Sequence, residues 1–139
     1  MNTSTAPDPA PVRNRQRRTI NTARIVLEHD PVPPGHMPGE PSSAAKRLGE
    51  IFGVEIGLWE MSQGAMSDVE AEELFVVLSG SATVQVHATN GFEAAELRLM
   101  PGTVCHLSEG MHTTWTLHEP LRKMYLVSAD WRIQVSTTE

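Results

Sequence analysis

The sequence predicts an all-β domain, a sandwich or a barrel, and three observations lead to that class. From residue 51 onward, short apolar runs alternate with polar residues at the two-residue period of a β-strand. Turn-forming pairs such as Asn90-Gly91 and Pro101-Gly102 separate these runs at intervals of about ten residues. The short spacing leaves almost no room for a helix. With 139 residues, the chain is long enough for one hydrophobic core and one domain.

The elements before residue 51 are harder to assign. The run "TINTARIVLEH" (19–29) predicts a first strand through its two isoleucines and Leu27. The next segment, "DPVPPGHMPGEPSSAAKRLGE" (30–50), predicts an irregular connection, because proline interrupts both helices and central strands. A single helical turn is expected near "SSAAKRLG". So long a connection in a compact domain often packs over a functional site.

About seven or eight short strands are expected in total, a number typical of β-sandwiches and barrels. The segment "SQGAMSD" (62–68) is expected to be a turn. The predicted strands after residue 51 are "VEIGLWEM" (54–61), "LFVVL" (74–78), "ATVQVHA" (82–88), "AELRLM" (95–100), "TVCHL" (103–107), "HTTWTL" (112–117) and "KMYLV" (123–127).

Alternation along the strands predicts which side chains point into the barrel. Glu73 shares one strand face with Phe75, and the opposite face of that strand is also apolar, so cover is expected on both sides. Lys123 and Tyr125 share the inward face of the last strand, and Trp115 shares a strand face with Thr113 and Leu117. A carboxylate, a lysine and a tyrosine are therefore predicted to meet near the mouth of the barrel.

Two segments resemble motifs of the cupin family. Glu73, followed by six residues and Gly80, resembles the end of the first cupin motif, in which two preceding histidines and the glutamate bind a metal. The segment "PGTVCHLSEGMHTTW" (101–115) resembles the second motif. With "GLWEMSQG" (57–64) and "LRKMYLV" (121–127), these residues are similar to small single-domain cupins of the (S)-ureidoglycine aminohydrolase and ethanolamine-utilisation type. The resemblance implies a single cupin barrel, a double-stranded β-helix or jelly roll.

The chain departs from the family at the metal ligands. No histidine stands at the motif positions before Glu73, and the second-motif histidine is displaced by one residue, to His112. A shift of one residue turns a strand side chain to the opposite face, so His112 is expected to point away from the barrel. Since a transition metal needs about three converging ligands, a metal-free pocket is favoured. A divalent metal such as Mn, Fe, Zn or Ni, held by Glu73 with His106 or His112, is the alternative.

Without a metal, a buried Glu73 needs a cation or hydrogen-bond donors. Lys123 and Tyr125 are the expected partners, with walls formed by Trp59, Phe75 and Trp115. The leading hypothesis is a pocket that binds a small polar metabolite, with Glu73, Lys123 and Tyr125 as candidate catalytic residues of an isomerase, lyase or hydrolase. Whether the protein is an enzyme is left open. The alternatives are a metal-dependent cupin enzyme and a non-catalytic dimeric sensory or structural module.

Charge and composition restrict the partners. Residues 1–18 are expected to be a disordered basic arm before a cupin domain of residues 19–139. Residues 1–24 carry a net charge of +4, which leaves −10 for the rest of the chain and makes nucleic-acid binding a poor expectation.

The sequence contains no apolar run long enough to predict a membrane span or a secretory signal, so a cytoplasmic protein is expected. The single cysteine excludes an internal disulfide, and strands apolar on both faces favour a homodimer.

Overall fold

The computed structural model describes residues 18–32 and 41–130, and within these ranges all regular structure is β-strand. The predicted all-β class is confirmed. The strands are β1 (Asp30–Pro31), β2 (Ser42–Ile51), β3 (Val54–Met61), β4 (Gly64–Val69), β5 (Glu73–Ser79), β6 (Ala82–Val86), β7 (Ala95–Leu99), β8 (Val104–Leu107), β9 (His112–Leu117) and β10 (Leu121–Ser128).

The strands form two antiparallel sheets that enclose the main core. One sheet has the order β1-β2-β3-β10-β5-β8, and the other has the order β4-β9-β6-β7. Both sheets contribute apolar side chains to the space between them, because alternate residues of each strand point inward. The fully buried members of this core include Met61, Phe75, Val77, Val84, Leu107, Trp115, Leu117 and Leu121.

A smaller core covers the outer face of the larger sheet. Leu27 and its neighbour Ile25 pack there against Leu58, which is completely buried. The guanidinium of Arg122 holds this N-terminal segment by donating hydrogen bonds to the backbone carbonyls of Thr22 and Ile25. Arg122 also donates through Nε to Glu60 at 2.7 Å.

The strand predicted for residues 19–29 is wrong. Residues 18–29 form no strand, and only Asp30–Pro31 pair with β2. Asn21 interrupts the segment because its side chain accepts a hydrogen bond from the amide of Ala23, and its carbonyl accepts one from the amide of Arg24. The apolar residues of this segment pack on the outside of a sheet instead of extending it.

Two other segments were predicted to contain no strand, and both form strands in the structure. The segment predicted as irregular, with a helical turn, contains nine of the ten residues of strand β2, which pairs along the whole of β3 with one irregularity between Arg47 and Gly49. The predicted turn at residues 62–68 contains most of β4, which pairs with β9. In both cases a long neighbouring strand provides the hydrogen bonds, so pairing outweighs the weak strand propensity of these residues. The other seven predicted strands are present.

The predicted strand faces agree with the structure. Phe75 and Lys123 are 0% and 6% exposed and point inward. On β9, Thr113 and Trp115 are buried while the intervening residues are not. The outer face of β5 is less covered than expected, since Leu74 is 43% exposed. The predicted disordered arm at residues 1–18 lies outside the described residues except for Arg18.

Candidate functional site

A cavity of about 530 Å³ opens at one end of the barrel, between the two sheets. Its wall combines one basic side chain with several carboxylates, a tryptophan and a tyrosine. The lining residues are Ala45, Glu55, Trp59, Asp68, Val69, Glu70, Ala71, Glu73, Glu109, Gly110, Lys123, Tyr125 and Val127. Cavities of this size that mix apolar surface with a few polar groups are typical of small-molecule sites.

Glu73 and Lys123 meet inside this cavity, as the sequence predicts. The Nζ atom of Lys123 lies 2.6 Å from Oε2 of Glu73, and the two side chains are 7% and 13% exposed. The oxygen is enclosed, and the described residues offer it no correctly oriented hydrogen-bond donor. The attraction is therefore mainly one of charge, strengthened by the low exposure of both groups.

Three aromatic rings surround the ammonium of Lys123. Its Nζ atom lies 4.3 Å from the ring centre of Phe75, 4.8 Å from that of Trp115 and 4.9 Å from that of Trp59. The negative face of an aromatic ring attracts a cation at such distances. We call Phe75, Trp115 and Trp59 the aromatic cage.

The structure distinguishes between the three residues predicted as ligand walls. Trp59 lines the cavity, whereas Phe75 and Trp115 do not, and both belong to the main core. Trp115 is only 1% exposed, so its ring has no free face on which a ligand can stack. Phe75 is 0% exposed and has no free ring face either. Both rings contact the ammonium of Lys123 from the core side. They help to fix its position and replace part of the water around it.

Tyr125 lines the same cavity, but its hydroxyl donates a hydrogen bond to Glu55 Oε2 at 3.1 Å. The sequence predicted Glu73 as its partner. Tyr125 lies directly opposite Gly57 on β3, and its ring occupies the space that a side chain at position 57 would need. Arg47 approaches the other oxygen of Glu55 at 3.6 Å. Glu55 and Tyr125 thus form a second polar pair on the wall.

Glu70 is a buried member of the site that sequence reasoning missed. It lies in a run of acidic residues, a pattern that usually indicates a solvated segment, yet it is only 6% exposed. Its Oε2 accepts hydrogen bonds from the hydroxyl of Thr113 at 2.6 Å and from the indole nitrogen of Trp115 at 3.0 Å. By the motif resemblance, Thr113 stands where cupins carry the second-motif histidine. An inward hydroxyl at that position was the available signal for a buried acceptor nearby.

Asp68 stands at the cavity mouth, where the protein raises the pKa of its carboxyl group. Partial removal from water is the largest cause, and the nearby negative charge of Glu70 adds to it. Lys123 acts in the opposite direction but is outweighed. The carboxylates of the wall therefore influence one another, and the cavity favours positive charge.

The residues that the structure describes do not fit a metal centre. His106 bonds through Nε2 to Glu72 on the outside of the sheet, and His112 lies on the outward side of β9, as predicted. The structure thus separates both histidines from Glu73, and the alternative ligand set does not come together. No cluster of three metal-binding side chains occurs within residues 18–32 and 41–130. The ammonium of Lys123 adjoins Glu73 and would repel a divalent ion there.

Comparison with known families identifies the fold. The sequence-family model described as the EutQ-like cupin domain matches residues 48–125, more than half of the chain. The chain belongs to the EutQ-like cupin family. This EutQ-like cupin therefore has the predicted cupin fold, and the predicted resemblance to the ethanolamine-utilisation cupins is confirmed.

Solved structures agree with this assignment. The Clostridium difficile EutQ protein superimposes with a TM-score of 0.63 at 16% identity, covering 81% of this chain and 88% of that chain. A putative ethanolamine utilization protein from Salmonella typhimurium LT2 gives a TM-score of 0.57 at 13% identity, with coverages of 80% and 85%. A cupin-2 domain protein from Shewanella frigidimarina gives 0.50 at 14% identity, with coverages of 61% and 79%. At these identities the likeness shows the fold alone.

No curated protein matches the sequence of this EutQ-like cupin. Along its described residues there is no helix long and apolar enough to cross a membrane. The ureidoglycine aminohydrolase likeness, the cytoplasmic location and the homodimer stay predictions.

Proposed function

We propose that this EutQ-like cupin binds a small polar metabolite in the barrel cavity and that Glu73 and Lys123 exchange protons with it without a metal. The observation that carries the proposal is the low-exposure ion pair facing a cavity of about 530 Å³. A carboxylate and an ammonium held this close form a ready base and acid, since one accepts a proton from a bound molecule while the other donates one. Isomerases, lyases and hydrolases all use such exchange.

The charge of the cavity wall supports a ligand that contains nitrogen. Among the described residues, the wall carries five carboxylates, and Lys123 is its one basic side chain. Arg47 compensates Glu55 in part from outside the wall. An amine or amidine group would offset the remaining negative charge and donate hydrogen bonds to Asp68 and Glu70. A neutral, sugar-like metabolite is the alternative ligand.

Binding is tested first, with small amines, amides and sugars compared by thermal shift and then by calorimetry. The proposal expects nitrogen-containing compounds to stabilise the protein, and Glu70→Gln and Asp68→Asn to weaken their binding. If sugars bind while amines do not, the ligand class is wrong. If no compound of any class binds to the wild-type protein, the cavity is structural.

Proton exchange is tested by NMR in D₂O on the compounds that bind. Wild-type protein should catalyse deuterium incorporation at one carbon of the ligand, and Glu73→Gln should abolish it while leaving the fold intact. Glu72→Gln is the matched control, because Glu72 is the adjacent carboxylate but is 57% exposed and pairs with His106 outside the cavity. Equal exchange in wild type and Glu73→Gln would show that Glu73 is not the base.

The predicted homodimer also belongs to this proposal. Leu74 and Val104 are 43% and 66% exposed on neighbouring strands of the larger sheet, and Val76 is the partner of Val104 across the two strands. We propose that a second copy covers this face. Sedimentation analysis should find a dimer for the wild-type protein and a monomer for Val104→Lys, while a wild-type monomer would contradict the proposal.

A further inference from the structure

The ammonium of Lys123 is the central cation of the barrel. It lies 2.6 Å from Glu73 and within 5 Å of all three ring centres of the aromatic cage. These contacts come from different strands, since Trp59 belongs to β3, Phe75 to β5 and Trp115 to β9. With 6% of its surface exposed, the lysine is almost fully removed from water.

The surroundings of Glu73 require this cation. Its Oε2 atom is enclosed, and the described part of the chain supplies it no aligned hydrogen-bond donor. A carboxylate in this condition is costly unless an opposite charge lies close to it. Lys123 provides that charge, and the rings repay part of the hydration that the ammonium has lost.

We infer that the barrel contains a cation-binding site whose occupant is the ammonium of its own Lys123, in place of the divalent metal that the family motif implies. The ammonium occupies the position beside Glu73 that a metal would need, and the three rings of the aromatic cage enclose it there. Glu73, the motif glutamate by resemblance, retains a cation partner although no histidine accompanies it. The inference does not depend on the proposed function, because it concerns the site without any ligand.

A direct test removes the side chain of Lys123 and then offers the aromatic cage a small ammonium compound in solution. Lys123→Ala removes Cγ, Cδ, Cε and Nζ, and n-propylammonium supplies three carbons and an ammonium of matching length. n-Propanol is the neutral probe of nearly the same size. The chain has one other lysine, Lys46, which is exposed on β2, so Lys46→Ala is the matched control.

The expected result is a saturable rise in the Tm of Lys123→Ala with n-propylammonium, with n-propanol at least about tenfold weaker because it brings no charge. Wild type and Lys46→Ala should show no saturable response. The double variant Lys123→Ala/Glu73→Gln should lose the preference for the amine. Equal effects of amine and alcohol, or an equal amine response in wild type, would overturn the inference.

Two further measurements cover a variant that does not fold. If Lys123→Ala is unfolded in buffer, the titration is followed by the recovery of β-strand circular dichroism, and no recovery would overturn the inference. Lys123→Met keeps the volume and removes only the charge, so its Tm should fall and should rise again in Lys123→Met/Glu73→Gln. A Lys123→Met protein as stable as the wild type would contradict a cation site. So would stoichiometric Mn²⁺ binding to the wild type that is lost in Glu73→Gln.

Discussion

Replacement of Glu70 by alanine should remove a large part of the stability of this domain. The carboxylate is 6% exposed and accepts hydrogen bonds from Thr113 at 2.6 Å and from Trp115 at 3.0 Å. Glu70→Ala leaves both donors buried without an acceptor, and each such donor costs about 1–3 kcal/mol. The expected loss is therefore about 2–6 kcal/mol, out of a typical total of roughly 5–15 kcal/mol.

Urea denaturation measures this loss as a change in the free energy of unfolding. Glu70→Gln keeps one acceptor oxygen, so it should lose less than half as much as Glu70→Ala. Glu93→Ala, in the exposed connection between β6 and β7, is the control and should change stability by no more than about 0.5 kcal/mol. A loss of less than about 1 kcal/mol for Glu70→Ala would show that water satisfies Thr113 and Trp115.

Three more predictions concern other parts of the molecule. Arg122→Ala should free the segment around Thr22 and Ile25, and hydrogen exchange there should become faster than in Arg98→Ala, which alters an arginine that is 79% exposed. Because folding raises the pKa of Asp68 above 3.8, its ionisation opposes folding. Asp68→Asn should therefore be more stable than wild type at pH 7 in urea titrations, and the advantage should vanish well below pH 3.8. Trp115→Ala should lose about 3–5 kcal/mol by the same measurement, since it empties the core, and a loss below about 1 kcal/mol would contradict that burial.

The inward faces of the strands could be predicted because they depend on local alternation. Counting residues placed Glu73 and Lys123 on the inward faces of their strands, and the structure brings the two side chains within 2.6 Å on neighbouring strands of one sheet. Their catalytic roles stay predictions. The displaced His112 was also assigned to the outside by the same argument, which the burial of Thr113 supports.

The strands β2 and β4 could not be predicted, because their residues have weak strand propensity and take their hydrogen bonds from β3 and β9. Glu70 was missed for a related reason. Its two hydrogen-bond donors lie 43 and 45 positions later in the chain, so no local sequence pattern predicts their contact with Glu70. Acidic residues in a row usually face solvent, so the pattern favoured the wrong environment.

The position of β10 has a consequence for the order in which the chain folds. This strand is the last of the described strands in sequence but lies in the middle of the larger sheet, between β3 and β5. Until Leu121–Ser128 leaves the ribosome, both neighbours expose unpaired edges, which are prone to aggregate. The N-terminal segment must wait as well, because its anchor Arg122 is made 100 residues after Thr22. The larger sheet therefore cannot be completed until β10 has been made, which leaves these strand edges open for most of synthesis.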